Sequence, residues 1–344
     1  MLQKMIKERK LPPFLSKEEM LEMLMREEYG YMPPKPAEMT VEVQENYVRS
    51  FCAGRAGLNR VELTSKMPRR EFTFPVYTAL PKGEGKYPFF VMINFRDNVP
   101  DLYLPVEEIL DNGFAVLSFC YKDVTSDDND FTNGLAGVLF ENGRRGDSDA
   151  GKIAMWAWAA QRVMDYAETL DCLDLSRACV CGHSRLGKTA LLAAATDERF
   201  AYAYSNDSGC SGAAITRWKS GERIVDICKN FPFWFCENYK NYVGKERQMP
   251  FDQHYLTACI APRYLYVASA EEDKWADPDS EMLNCVATSA VYEAMGYEGF
   301  VCENRLPRAG DVYHKGRIGY HLRSGAHYFS REDWNRVIEF IKSK

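Results

Sequence analysis

The residues best placed to do chemistry sit in one stretch, Cys179-Val180-Cys181-Gly182-His183-Ser184-Arg185-Leu186-Gly187-Lys188-Thr189-Ala190. The apolar run 178–181 predicts a buried strand, Gly182 and Gly187 permit a tight turn, and 189–195 is a run of helix formers. A serine on such a strand-to-helix turn exposes its hydroxyl as a nucleophile, with backbone N–H groups at the helix start to hold an oxyanion. The common pattern puts glycine two residues after the serine; here that position is Leu186 and Gly187 follows it. The same letters, Gly182-x-x-x-x-Gly187-Lys188-Thr189, also satisfy a phosphate-binding loop, which would make the chain an ATP-binding protein. The rest of the chain has to choose between these chemistries.

A phosphate loop usually follows the first strand of its domain and needs an aspartate ending an apolar strand to hold magnesium. Three or more strands precede this one, and Ala201-Tyr202-Ala203-Tyr204-Ser205 is a weak version of the second requirement. A nucleophilic serine asks instead for an acid and then a histidine, in that order, each at a strand end. Of the five histidines, His183 is beside the serine on the wrong side of the turn, His254 has a structural reading, and His314 and His321 lie before or within the last strand. His327 follows that strand and precedes the final helix, which is the address of a general base in an α/β-hydrolase. Asp207 and Asp273 both follow strands, and either could orient its imidazole.

Positioning such groups takes a sheet. The segments 39–65 and 71–80 alternate as antiparallel edge strands, while 86–94, 113–120, 178–181, 200–205, 263–270 and 318–322 read as strands, most of them fully buried. Helices are expected at 16–28 behind a Ser16/Glu19 capping box, and at 106–112, 147–170, 280–295 and 332–342. Alternation of buried strands and helices predicts a mostly parallel sheet with helices on both faces, in one domain over 1–344, and the order serine, acid, histidine at strand ends makes the expected fold that of an α/β-hydrolase. Residues 1–34 form an N-terminal helical arm in this reading, and the aromatic-rich 212–258 a cap over the carboxyl edge, in which Trp234 of Phe231-Pro232-Phe233-Trp234-Phe235 is a candidate sugar platform. Arg96, in the loop after a buried strand, is a candidate for the oxyanion side.

With 46% hydrophobic residues the chain has ample material for a core, and a net charge of −6 without basic runs argues against nucleic acid. No apolar stretch is long enough to span a bilayer, and no metal or cofactor is implied. Eleven cysteines without C-x-x-C pairs and a charged first ten residues lead to the expectation of a cytoplasmic setting, or a secreted one if a leader has been removed.

At the serine the chain resembles the glucuronoyl esterases, carbohydrate esterases that cleave the ester between glucuronic acid on xylan and lignin alcohols. The shared segments are Gly182-His183-Ser184-Arg185-Leu186-Gly187-Lys188, Ala194-Ala195-Thr196-Asp197-Glu198-Arg199 and Asp207-Ser208-Gly209-Cys210-Ser211-Gly212. Met249-Pro250-Phe251-Asp252-Gln253-His254, Ile260-Ala261-Pro262-Arg263, Asp273-Lys274-Trp275 and Gly325-Ala326-His327 continue the likeness, which runs from about residue 29 onward. The resemblance implies Ser184 as nucleophile, His327 as base, Arg185 at the oxyanion, and Lys188 and Trp275 on the sugar. The family often has glutamate where this chain has the shorter Asp207, which favours Asp273 as the acid. A small carbohydrate ester is the expected substrate, with an acetylated xylo-oligosaccharide as the alternative.

Overall fold

The six strands expected in the interior run parallel to one another at the centre of a ten-stranded sheet, in a computed structural model describing residues 1–344. The strands are β1 (Met39–Gln44), β2 (Ala56–Lys66), β3 (Glu71–Pro81), β4 (Tyr87–Asn94), β5 (Ala115–Cys120), β6 (Leu173–His183), β7 (Tyr202–Asn206), β8 (Tyr264–Ala270), β9 (Val312–Tyr313) and β10 (Ile318–Arg323). Their order is β1-β2-β3-β5-β4-β6-β7-β8-β10-β9. The β1, β2, β3 side and the β9 edge are antiparallel, and the strands from β5 through β10 are parallel.

The helices are α1 (Leu2–Arg9), α2 (Lys17–Leu24), α3 (Val106–Asp111), α4 (Tyr121–Val124), α5 (Gly134–Leu139), α6 (Lys152–Ala167), α7 (Arg185–Thr196), α8 (Ile224–Asn230), α9 (His254–Ala258), α10 (Pro278–Ala294) and α11 (Arg331–Lys342). They cover both sheet faces, so side chains along one strand alternate between two cores. In β4, Phe89, Val91 and Ile93 join the larger cluster with Trp156 and Trp158 of α6, while Phe90 and Met92 join the second with Trp334 and Ile338 of α11. Cys179 and Cys181, two residues apart on β6, share one face and both belong to the second cluster.

Local differences from the sequence reading have local causes. The helix expected from 147 begins at Lys152, because Tyr31 and Gly151 donate backbone hydrogen bonds to Ser148 and Tyr29 and tie this stretch to the N-terminal arm. The polar stretch 122–130 begins within the single turn α4, with α5 beyond it. The 212–258 segment contains α8, α9 and short helical turns, and its Phe233–Trp234 carbonyls accept from the first N–H groups of α6.

The arm is locked to this segment by Glu28, a buried carboxylate that accepts from Gln253 Nε2 at 2.9 and 3.0 Å. Burial pushes its pKa up to about 8. Below the ordinary glutamate pKa both folded and unfolded chains carry the proton. Between there and about 8 only the folded chain does, so folding stability falls as pH rises through this window. Glu28→Gln is expected to flatten that fall, giving a higher Tm than the parent at pH 8 and a similar one at pH 4, on the order of 1 kcal/mol per pH unit in between. Thermal melts across pH check this.

Candidate active site

β6 ends at His183 and α7 begins at Arg185, leaving one residue for the turn. Ser184 takes φ +59° and ψ −127°, a strained conformation for a side-chain-bearing residue. Its N–H donates to Asn206 O at 2.8 Å, and its carbonyl accepts from the N–H groups of Gly187 and Lys188 at 2.9 and 3.2 Å. A Cβ on Gly182 would stand 2.3 Å from Leu186 O, and one on Gly187 2.9 Å from Ser205 Oγ. Glycine is therefore needed at 187, where α7 passes over β7, while Leu186 is free to bury its side chain; this explains the shifted glycine.

The same geometry corrects the phosphate-loop alternative. Thr189 Oγ1 donates within its own helix to Arg185 O at 2.9 Å, and Lys188 is buried against Ser208 O and Cys210 O, so neither is presented to a nucleotide.

His327 and Asp273 meet from two loops, with Nδ1 2.6 Å from Asp273 Oδ2. That contact places the Nδ1 proton against the carboxylate and leaves Nε2 as the basic nitrogen. Asp273 is fixed from the other side by Ala276 N–H, 3.1 Å from Oδ1. Burial opposes its ionisation, but the hydrogen bond and charge of His327 outweigh this and hold its pKa below the ordinary value. Ser184, Asp273 and His327 line one cavity of about 320 Å³ at the carboxyl edge of the sheet.

Asp207 lines this cavity too, yet its carboxylate contacts Tyr328 N–H at 3.4 Å and Arg323 Nη2 at 3.5 Å rather than the imidazole, and Oδ1 has no partner. Burial, with Glu281, Asp333 and Asp273 nearby, pushes its pKa well up. Asp207, Asp273 and His327 could each offer a ligand atom to a cation, but Arg323 beside Asp207 disfavours one. His183 is buried, bonds through Nδ1 to Asn206 Oδ1 at 2.5 Å, and lies 4.4 Å ring to ring from His327. Burial and His327 lower its pKa to about 3, so it is neutral at any working pH. His254 faces Pro12 O at 2.9 Å, and His314 and His321 both bond Tyr266 Oη, at 2.8 and 2.9 Å.

Trp275 stands at the cavity mouth, 54% exposed. Trp234 also lines the cavity but, against the expectation of an open platform, is only 3% exposed; its ring stacks on Phe231 at 3.9 Å and its Nε1 donates to Asp127 at 2.8 Å. Lys188 gives its three donors to Ser208 O, Cys210 O and, at 3.2 Å, Glu222, and so holds the Glu222 carboxylate at the cavity. Arg185 pairs through Nη1 with Asp127 and lies 4.7 Å over Trp234, while its buried Nε has no partner. A second recess of about 240 Å³, lined by Phe95, Arg96, Tyr103 and His183, reaches Ser184 and His327 from the other side. Arg96 contributes there beside Asp101 at 3.5 Å. Asp127 and Glu222 were not singled out from sequence, where each reads as one surface charge among several.

Comparison with known proteins identifies the family. Residues 63–296 match the family model described as glucuronyl esterase, fungi. A carbohydrate esterase of an unknown prokaryotic organism is 40% identical over 68% of this chain and 54% of its own length. The 4-O-methyl-glucuronoyl methylesterase of Podospora anserina is 29% identical over 75% of this chain and 51% of its own, so the chain spans about half the length of these curated relatives. The solved glucuronoyl esterase from Solibacter usitatus superposes with TM-score 0.87 at 32% identity, covering 95% of this chain and 91% of that one. The chain belongs to the glucuronoyl esterase family, carbohydrate esterase family 15, and has its α/β-hydrolase fold.

Proposed function

We propose that the protein hydrolyses a glucuronoyl ester, most simply a 4-O-methyl-glucuronate ester of a small alcohol, through an acyl-enzyme on Ser184. The observation that carries this reading is the 2.6 Å His327–Asp273 contact in the cavity that Ser184 lines. His327 Nε2 takes the Ser184 proton as Oγ attacks the ester carbonyl, and Asp273 stabilises the imidazolium. The oxyanion is held by backbone N–H groups at the start of α7 and by the unpartnered Arg185 Nε, whose guanidinium is steadied by Asp127 and Trp234. His327 then protonates the departing alcohol, and a water it deprotonates releases the glucuronate and frees Ser184.

The two recesses divide the substrate. The larger offers the Glu222 carboxylate, held in place by Lys188, and the Trp275 indole, groups suited to the hydroxyls and apolar face of a sugar acid; the smaller, beside His327, receives the alcohol. An acetyl group would leave the larger recess largely unfilled, so acetyl removal from xylo-oligosaccharides is the lesser reading.

The test is product analysis on benzyl glucuronate beside an acetylated xylo-oligosaccharide. Release of glucuronate is expected; release of acetate alone would overturn the assignment.

The two tryptophans separate sugar contact from packing. Trp275→Ala is expected to raise KM about 5-fold with little change in Tm. Trp234→Ala removes a buried indole and is expected to cost roughly 3 kcal/mol of stability. Kinetics and thermal melts on both variants check this.

A further inference from the structure

We propose that Arg323 is a positioning residue, a clamp that closes the loop carrying His327 and sets the imidazole between Asp273 and Ser184. This rests on His327 being the general base. The guanidinium is 5% exposed and stands at the end of β10, where the loop begins. Nη1 donates to Ser324 O at 3.0 Å and Nη2 to Tyr328 O at 2.5 Å, so one planar group joins the carbonyls on either side of Gly325-Ala326-His327. Nε donates to Asp333 Oδ2 at 2.9 Å, and Nη2 also lies 3.5 Å from Asp207.

The anchor is itself fixed. Asp333, in the first turn of α11, completes its capping box by accepting from the N-cap Ser330 N–H at 2.7 Å, and its other oxygen meets His321 Nε2 at 2.9 Å. His321 in turn bonds Tyr266 Oη at 2.9 Å. The loop thus hangs from two elements, β10 and α11, through one side chain. Asp207, Asp273, Glu281 and Asp333 are all buried around this part of the site, and Arg323 is the guanidinium placed among them. The fork geometry matters as much as the charge: a lysine ammonium, a single point of donors, cannot span both loop carbonyls and Asp333.

A loop displaced by about 1 Å would lose on the order of 10²-fold in rate, without a matching change in substrate contacts. Arg323→Ala and Arg323→Lys are expected to lower kcat on benzyl glucuronate by at least about 30-fold with KM within about 3-fold, and methylguanidinium should restore much of the Arg323→Ala loss. A second readout needs no turnover. The short His327–Asp273 contact should give a downfield Nδ1 proton resonance, assigned by its loss in His327→Ala, kept in Ser184→Ala and lost in both Arg323 variants. A folded Arg323 variant that keeps the resonance, or keeps kcat within about 3-fold of the parent, overturns the proposal. If Arg323→Ala does not fold, Arg323→Lys decides by the same two readouts. Because the resonance is independent of substrate, failure of the ester assignment and failure of the clamp are told apart.

Discussion

Ser184→Ala is expected to abolish turnover, lowering kcat/KM on a glucuronate ester by roughly 10⁴-fold or more while the chain stays folded. The size of the loss follows from the role: without Oγ no acyl-enzyme forms, and the oxyanion donors alone retain only a small residual rate. The fold should survive because the strain at φ +59° belongs to the backbone turn, which Gly182 and Gly187 permit, and the Ser184 main chain keeps its bonds to Asn206, Gly187 and Lys188. Steady-state kinetics and circular dichroism on the purified variant check both halves. A variant with wild-type turnover would remove Ser184 from the mechanism.

The second large effect separates the two aspartates. Asp273→Asn is expected to cost about 10³- to 10⁴-fold in kcat, because the amide can present its NH₂ to Nδ1 and turn the imidazole to the wrong tautomer. Asp207→Asn should cost less than about 10-fold, since that carboxylate contacts Tyr328 N–H and Arg323 rather than the imidazole. Stopped assays at a fixed pH on the two variants suffice. The reverse order of losses would make Asp207 the orienting acid and the Asp273 contact incidental.

Much of this site was legible from residue order. Ser184, the carboxylates and His327 fall at the ends of β6, β7, β8 and β10, and buried parallel strands deliver their carboxyl ends to one edge whatever the details of the turns. The distinction between Asp207 and Asp273 was less legible. Both follow strands; only the three-dimensional path of the 271–277 loop turns one toward His327, while Arg323, far away in sequence at the end of β10, lies against the other.

Buried charge pairs were the least visible. Asp127 sits in the acidic run Asp127-Asp128-Asn129-Asp130, where Asp128 and Asp130 serve turns of their own loop and Asp127 alone reaches Arg185 and Trp234. Nothing in the spelling separates them. Trp234 shows the opposite difficulty: an aromatic cluster has the composition of a sugar platform and of a core alike, and burial against Phe231 decides for packing with one edge at the cavity.

The proposed mechanism requires a sugar acid to become covalently attached to Ser184. Rapid acid quench of the enzyme with benzyl glucuronate, followed by intact-mass and peptide mass spectrometry, reads this directly. A glucuronoyl adduct on the Ser184 peptide, absent from Ser184→Ala, is the predicted result. Glucuronate release with no adduct at any quench time, or an adduct on another residue, would contradict it.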